Sequence, residues 1–288
     1  MSKDADETAD EPWTPERMGK AIEAARARLD QERRAQFAPF GVDEDCMWPA
    51  ARVFHEHSAM GPAWAPTMTI PEVEAFTLKQ DYKRYPGSRQ VALPRPAPVT
   101  AGLESLIGQR RSERSFSDKP LSLPLLTKLL QLGCGVIDPE EAPPRRATPS
   151  GGALYPIEAY PVALAVEGLE PAVYHYAAID HVLEHVRDAP SSAPLKDFVP
   201  PDLHAAQPPL VIGLSAVFPR IQSKYLERGY RFALLEAGHI AQNMVLGATA
   251  LGLHAVCMGG YWDEPFNDFL GLDPRREAVV YALLIGHA

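Results

Sequence analysis

The sequence predicts an α+β fold with helices first, then a meander of strands, then one long helix and two closing strands. Three observations lead there. Six apolar runs of strand character stand at Tyr160–Val166, Ala172–Tyr176, Val182–Val186, Leu210–Val217, Ala255–Met258 and Val279–Ile285. A helical stripe of Ala233, Ala237, Ile240, Ala241, Met244, Val245, Ala248 and Leu251 lies between the fourth and fifth runs. Strands and helices do not alternate regularly, which argues against a doubly wound parallel sheet.

Taken in order, residues 1–13 are acidic and polar and read as a disordered tail. Thr14-Pro15-Glu16 is a helix start, with Thr at the N-cap, Pro at N1 and an acid in the first turn. That helix is expected to run to about Gln36, with a narrow apolar face of Met18, Ile22, Ala25 and Leu29. Residues 40–100 have weak periodicity and many prolines, so 14–99 reads as an N-terminal helix followed by an extended arm with short helices. The main domain is expected over 100–288. It opens with a short helix carrying Leu103, Leu106 and Ile107 and closing at Gln109-Arg110-Arg111. A second helix follows, capped by Ser122 and stopped by Gly133 and Gly135. The long helix is expected to span about Gln222 to Leu251 as one piece, and its many Ala and Gly residues mark it as central and buried. A last helix over about Glu264–Leu270 ends at Gly271.

Composition narrows the function classes. With 46% hydrophobic and 23% charged residues, the chain can build a core without disulfides or a metal staple. A net charge of −9 with both signs mixed gives no basic face, so nucleic acid is not the expected partner. Cys46, Cys134 and Cys257 are odd in number and widely spaced, fitting neither a disulfide framework nor a C-x-x-C site. No apolar run reaches the ~18 residues of a membrane span, the acidic start does not read as a signal peptide, and the cysteine usage makes a reducing cytoplasm the expected compartment.

Four stretches carry candidate chemistry. Arg110-Arg111-Ser112-Glu113-Arg114 is the densest basic group, and guanidinium forks with a hydroxyl suit a phosphate; a solvated loop is the plainer reading. Pro149-Ser150-Gly151-Gly152 lets a backbone approach a flat ring or an anion, or is a tight turn before a strand. Gly259-Gly260 ends a strand, either to lie against a planar group or as a strand end. Lys224-Tyr225 opens the expected long helix, where the dipole disfavours a cation and favours a neutral, basic amine; otherwise Lys224 is an exposed lysine. Metal binding is not expected. His55-Glu56-His57 is too closely spaced for two helical ligands, and the Glu236-x-x-His239 pair is not repeated elsewhere as a di-iron bundle requires. No P-loop, Rossmann fingerprint or G-x-S-x-G elbow is present.

Together these stretches resemble the SagB-type branch of the FMN-dependent nitroreductase superfamily. The resemblance rests on Arg110-Arg111-Ser112, Arg114, Phe116, Pro120-Leu121-Ser122 and Pro149 to Pro156. It extends through Glu167-Gly168-Leu169, Tyr174-His175-Tyr176, Lys224-Tyr225 and Arg228-Gly229-Tyr230-Arg231. Leu235-Glu236-Ala237-Gly238-His239, Gln242-Asn243 and Gly259-Gly260 complete it over about residues 100–288. Lys83-Arg84-Tyr85-Pro86 is similar to the arm of that branch.

The resemblance implies a nitroreductase-like α+β sandwich, with a mostly antiparallel central sheet flanked by helices, forming an intertwined homodimer with FMN at the interface. Arg110, Arg111, Ser112 and Arg114 would hold the phosphate, ribityl chain and pyrimidine edge of FMN. Pro149, Ser150, Gly151 and Gly152 would approach from the other subunit, and Gly259 and Gly260 would lie near the ring. Lys224 and Tyr225 would be catalytic. The chain stops at Gly286-His287-Ala288 without the basic residues many relatives carry there; either His287 contributes to the phosphate site or the arginines carry it alone. The branch oxidises thiazolines and oxazolines to thiazoles and oxazoles in peptides, which makes a peptide- or carrier-bound azoline the implied substrate. An NAD(P)H-dependent nitro or quinone reductase, and a non-catalytic scaffold in a synthetase complex, are the competing readings. Neighbouring genes would separate them.

Overall fold

The computed structural model describes residues 20, 27–28, 49–59, 82–138, 140–141, 144–189, 195–199 and 207–288. The chain divides into two compact units, Met1–Ala59 and Met60–Ala288. In the first, helix α1 spans Pro49–His57, closed by the Ser58 amide on the Phe54 carbonyl at 3.0 Å. The expected helix from Thr14 to Gln36 and the tail before it lie almost wholly outside the described residues, where Lys20, Ala27 and Arg28 alone are described, as helical.

The second unit is built on a seven-stranded sheet. Its strands are β1 (Gln90–Ala92), β5 (Ile157–Ala163), β7 (Ala172–Ala177), β8 (Val182–Asp188), β9 (Leu210–Val217), β10 (His254–Met258) and β11 (Glu277–Gly286). The order is β1-β8-β7-β5-β9-β11-β10, and every neighbouring pair is antiparallel. Two small ladders lie outside it: β2 (Leu121–Ser122) runs parallel to β6 (Val166–Glu167), and β3 (Val136–Asp138) pairs with β4 (Arg145–Arg146). The first main strand starts three residues before the sequence pattern indicates, because Ile157 already pairs with Ala216 of β9. Strand β7 pairs with Val162 and Ala163 of β5 only. Pro161, which has no N–H to donate, stands just before that ladder begins.

Both faces of the sheet are covered, so the central strands are buried end to end rather than alternating with solvent. On one face Ile157, Ala159, Ile212, Leu214, Leu283 and Ile285 share a core with α3 (Leu123–Cys134) and the long α6 (Arg228–Ala250). Helix α3 starts after Ser122 and packs on α6. A Cβ on Gly247 would meet the Leu132 side chain at 2.7 Å, so the small residues of α6 set this close approach. On the other face Tyr160, Val211, Leu284 and Met258 pack against α4 (Leu195–Phe198) and α7 (Asp263–Leu270). Helix α7 ends as the sequence indicates, with Gly271 in the left-handed region at φ 74° and its N–H on Asn267 O and Asp268 O. The α6 stripe from Ala233 to Ala248 is buried as expected, but Leu234 and Leu235 on the opposite face are exposed.

The long helix is not one piece. Helix α5 (Phe218–Tyr225) ends at Leu226, whose φ of 48° and ψ of −137° break the helical path, and α6 restarts at Arg228. Gly229 permits this joint: a Cβ there would stand 3.0 Å from the Ile221 carbonyl oxygen.

Candidate active site

The joint relocates Lys224 and Tyr225. They lie in the last turn of α5 rather than at the start of the long helix. The electrostatic argument from the sequence therefore reverses, since a helix C-terminus favours positive charge. What confines the pair is steric. The turn Gly151–Ala153 is a short 3₁₀ segment in which Gly152 takes φ 62°. A Cβ on Gly152 would lie 2.5 Å from Lys224 Nζ and 2.8 Å from the Tyr225 hydroxyl. Only glycine lets these two side-chain ends rest on the main chain of the turn. Lys224 Nζ also stands 5.1 Å from the centre of the Tyr225 ring, and that ring meets Phe232 of α6 edge-on at 4.9 Å.

The turn is anchored from behind. Ser150 Oγ accepts from the Tyr155 amide at 2.8 Å. The Tyr155 carbonyl accepts from Arg220 Nη1 at 2.6 Å, and Arg220 sits one helical turn before Lys224 on α5. Arg220 also pairs with Glu158 at 2.7 Å, Glu158 with His175 at 3.1 Å, and His175 with Glu184 at 2.8 Å. This row crosses three strands on the α7 side of the sheet, and all four side chains are buried. Burial alone would raise the Glu158 carboxyl, but Arg220, His175 and Arg146 outweigh it and hold the carboxyl well below the usual range. The arm adds a second buried group: Lys83 pairs with Glu277, which accepts from Tyr160 (2.9 Å) and Ser215 (2.7 Å), and the Tyr85 and Tyr160 hydroxyls are 2.9 Å apart. Of the two, the row from Arg220 meets the turn, through the Tyr155 carbonyl.

The other expected residues gather along the edge strand β10. The segment after α2 (Leu103–Gln109) runs beside it: the Glu113 amide donates to Ala255 O at 3.1 Å, His254 Nδ1 lies 2.7 Å from Ser115 O, and the Ser117 amide donates to His287 O at 3.0 Å. Arg110 is half-buried and close enough to the Cys257 thiol to act on it, while Arg111, Ser112 and Arg114 are exposed. Among the described residues no carboxylate pairs with any of the three arginines. Their guanidinium N–H groups bond only to nearby carbonyls: Arg111 to Gly108 O and Arg110 O, Arg114 to Ser112 O. Unneutralised cations beside a strand that ends in Gly259 and Gly260, both exposed and uncrowded on the Cβ side, fit an anionic group attached to a flat ring. His287 lies at the far end of β10 from these glycines, since Gly286 pairs with His254. It meets the loop at Ser117 through its carbonyl.

The structure thus places the expected residues in two groups. One comprises the arginine segment with Gly259, Gly260 and His287, and the other Pro149 to Gly152 with Lys224 and Tyr225. The glycines of β10 and the Ser150 turn lie at the same end of the sheet, because β9 ends and β11 begins there. Among the described residues no hydrogen bond or ion pair joins the groups within the chain. Sequence reasoning missed Arg220, Phe232 and the buried role of Glu236. The sign for Glu236 was available, since it sits three residues after Ala233 and four before Ile240 on the apolar stripe. Among the described residues no three metal-ligating side chains converge, and no helix is long and apolar enough to cross a membrane.

Comparison with known proteins bears on this arrangement. The model of the Nitroreductase family matches residues 107–287. A Methanocaldococcus jannaschii protein named as a nitroreductase is 33% identical over 168 residues, 58% of this chain and 83% of its own length. The Escherichia coli microcin B17-processing protein McbC is 33% identical over 178 residues, 60% of this chain and 65% of its own length. A chain of the E. coli microcin synthetase McbBCD complex with truncated pro-MccB17 bound superposes with a TM-score of 0.57 at 27% identity, covering 83% of this chain and 92% of that one.

Proposed function

Because the chain belongs to the nitroreductase family of oxidoreductases, we propose that it is an FMN-dependent dehydrogenase that converts thiazoline or oxazoline rings of a peptide- or carrier-bound intermediate to thiazoles or oxazoles. The observation that carries this reading is the Lys224–Tyr225 pair seated on Gly152. A plain reductase draws its hydride from a nicotinamide and needs no base at the substrate. Aromatising an azoline removes a proton as well as a hydride, and a positioned amine or phenol suits the proton. The family resemblance to a peptide-processing protein, and to a chain of a synthetase complex holding a propeptide, favours a peptide over a small nitroaromatic.

Bound FMN would supply the hydride acceptor. Arg110, Arg111, Ser112 and Arg114 would hold its phosphate and polar edge, with His287 near the end of that loop and Gly259 and Gly260 beside the ring. Pro149 and Ser150 to Gly152 would approach from the partner subunit. Either Lys224 as the free amine or Tyr225 as the phenolate would take the proton from the ring carbon, the two being held together on the turn. We propose a homodimer for two reasons. Leu234 and Leu235 leave an apolar strip of α6 exposed, and the two groups of site residues are unjoined within one chain.

Lys224→Ala and Tyr225→Phe test the reading. Each should reduce thiazoline oxidation by about 10²–10⁴ while FMN content is kept. A wild-type protein that never oxidises an azoline, and reduces nitroaromatics with NAD(P)H equally well with and without Lys224, makes the reductase the correct reading.

A further inference from the structure

Glu236 is the one acid on the buried stripe of α6, 3% exposed, and its Oε2 is sealed from solvent with no hydrogen-bond partner among the described residues. An isolated buried polar atom of this kind needs a reason. The Ser150 hydroxyl and the Ile157 amide face the carboxyl from the glycine turn and β5, Arg146 from β4 and Arg220 from α5, and the Cys134 thiol of α3 lies close enough to respond to its charge. We propose that Glu236 is a positioning residue that sets which way the Ser150 hydroxyl donates, and so whether Ser150 can bond the group held at the glycine turn. The inference rests on the reading above that this turn borders FMN.

The hydrogen-bond count makes the device. Ser150 Oγ already accepts from the Tyr155 amide, which leaves one lone pair and one hydrogen. An ionised Glu236 only accepts, so it draws the Ser150 hydrogen inward. A neutral Glu236 carries its own hydrogen and can donate it to the remaining lone pair of Ser150. The Ser150 hydrogen is then free to point out of the turn, on the side where Gly152 is exposed. Burial is the largest influence on the carboxyl; it outweighs Ser150, Arg146, Ile157 and Arg220 and pushes the pKa up to about 7, where both states are populated in ordinary conditions. By linkage, an acceptor on FMN that takes the Ser150 hydrogen binds more tightly when Glu236 is neutral.

The test is FMN titration of the full chain by flavin fluorescence, at about pH 6 and about pH 8, where neutral and ionised Glu236 dominate in turn. Wild type should lose affinity about three- to tenfold across that interval, the worth of one net hydrogen bond. Glu236→Gln, which always carries a donor, should stay at the tighter level apart from the slope common to all three proteins. Ser150→Ala should bind at the weaker level with the same slope as Glu236→Gln. The second ionisation of the FMN phosphate falls in the same range, but it acts alike on all three proteins, so the difference between slopes is the readout. FMN binding with one slope in all three proteins overturns the inference and leaves the proposed function standing. Absence of FMN binding at either pH removes the proposed function and this inference with it. Should Glu236→Gln fail to fold, Ser150→Ala alone decides, because a wild-type slope in that variant refutes the coupling.

Discussion

Gly152→Ala separates what the glycine turn contributes to stability from what it contributes to chemistry. The new Cβ carries two penalties. At φ 62° an L side chain costs about 1–2 kcal/mol. The same Cβ would stand 2.5 Å from Lys224 Nζ and 2.8 Å from the Tyr225 hydroxyl, inside any real carbon contact. Both are the far ends of side chains, so they can swing aside at little cost to the fold. They must move by roughly 1 Å to restore an ordinary contact, and a displacement of that size costs about 10² in rate when it moves a catalytic group. Gly168 supplies the control, because its φ of 80° is as demanding but no atom lies within 4 Å of its Cβ position. Thermal unfolding should show both variants lowered by about 2–8 °C, from that backbone cost and the usual 2–4 °C per kcal/mol at this size. Azoline turnover should fall about 10²-fold in Gly152→Ala only. Equal turnover in the two variants would falsify the claim that Lys224 and Tyr225 work from their seat on this turn.

Further outcomes follow from the same geometry. Arg110→Ala should weaken FMN binding by about 1.5–3 kcal/mol, the range of a charge-assisted hydrogen bond; unchanged affinity by titration moves Arg110 out of the site. Sedimentation of the flavin-loaded protein should give a dimer, and a monomer that retains its flavin counts against a shared site. Arg220→Met removes the one guanidinium paired directly with buried Glu158, leaving His175 and the more distant Arg146, and should cost about 3–5 kcal/mol in urea unfolding at neutral pH; a loss under about 1 kcal/mol would show the row to be dispensable. The same row sets an acid limb. Glu158 is held below its unfolded value, so the stability it contributes is full above about pH 4 and is lost as pH falls below that. Arg220→Met should flatten that limb.

The parts of the fold written in local chemistry were readable in advance. Helix α7 with Gly271 behind it and the buried stripe of α6 follow from spacing and one glycine each. The break between α5 and α6 was not, because no proline marks it. Leu226 is forced out of the helix by how closely the two helices meet at Gly229, a tertiary demand that local propensity does not encode. The site behaved similarly. Glycine pairs and clustered arginines stand out in a sequence, so they could be nominated there as candidates. The row Glu184-His175-Glu158-Arg220 was not, since each member looks like an ordinary polar residue in its own strand and only cross-strand register brings them together. The reading of Lys224 failed on its electrostatics for the same reason as the helix boundary.

The segment from Glu113 to Ser117 has a consequence for solubility. Strand β10 closes one edge of the sheet, and its five residues, His254 to Met258, carry no fixed charge that would repel another strand. An open edge of this composition is a template for strand addition by a second molecule. Here the Glu113 amide takes up the Ala255 carbonyl, and Ser115 and Ser117 occupy the rim at His254 and His287, so the arginine segment serves as the strand's own cover. Drift in these residues is therefore restrained from two directions. A change that loosens the segment while leaving every arginine in place would announce itself as protein lost to aggregates.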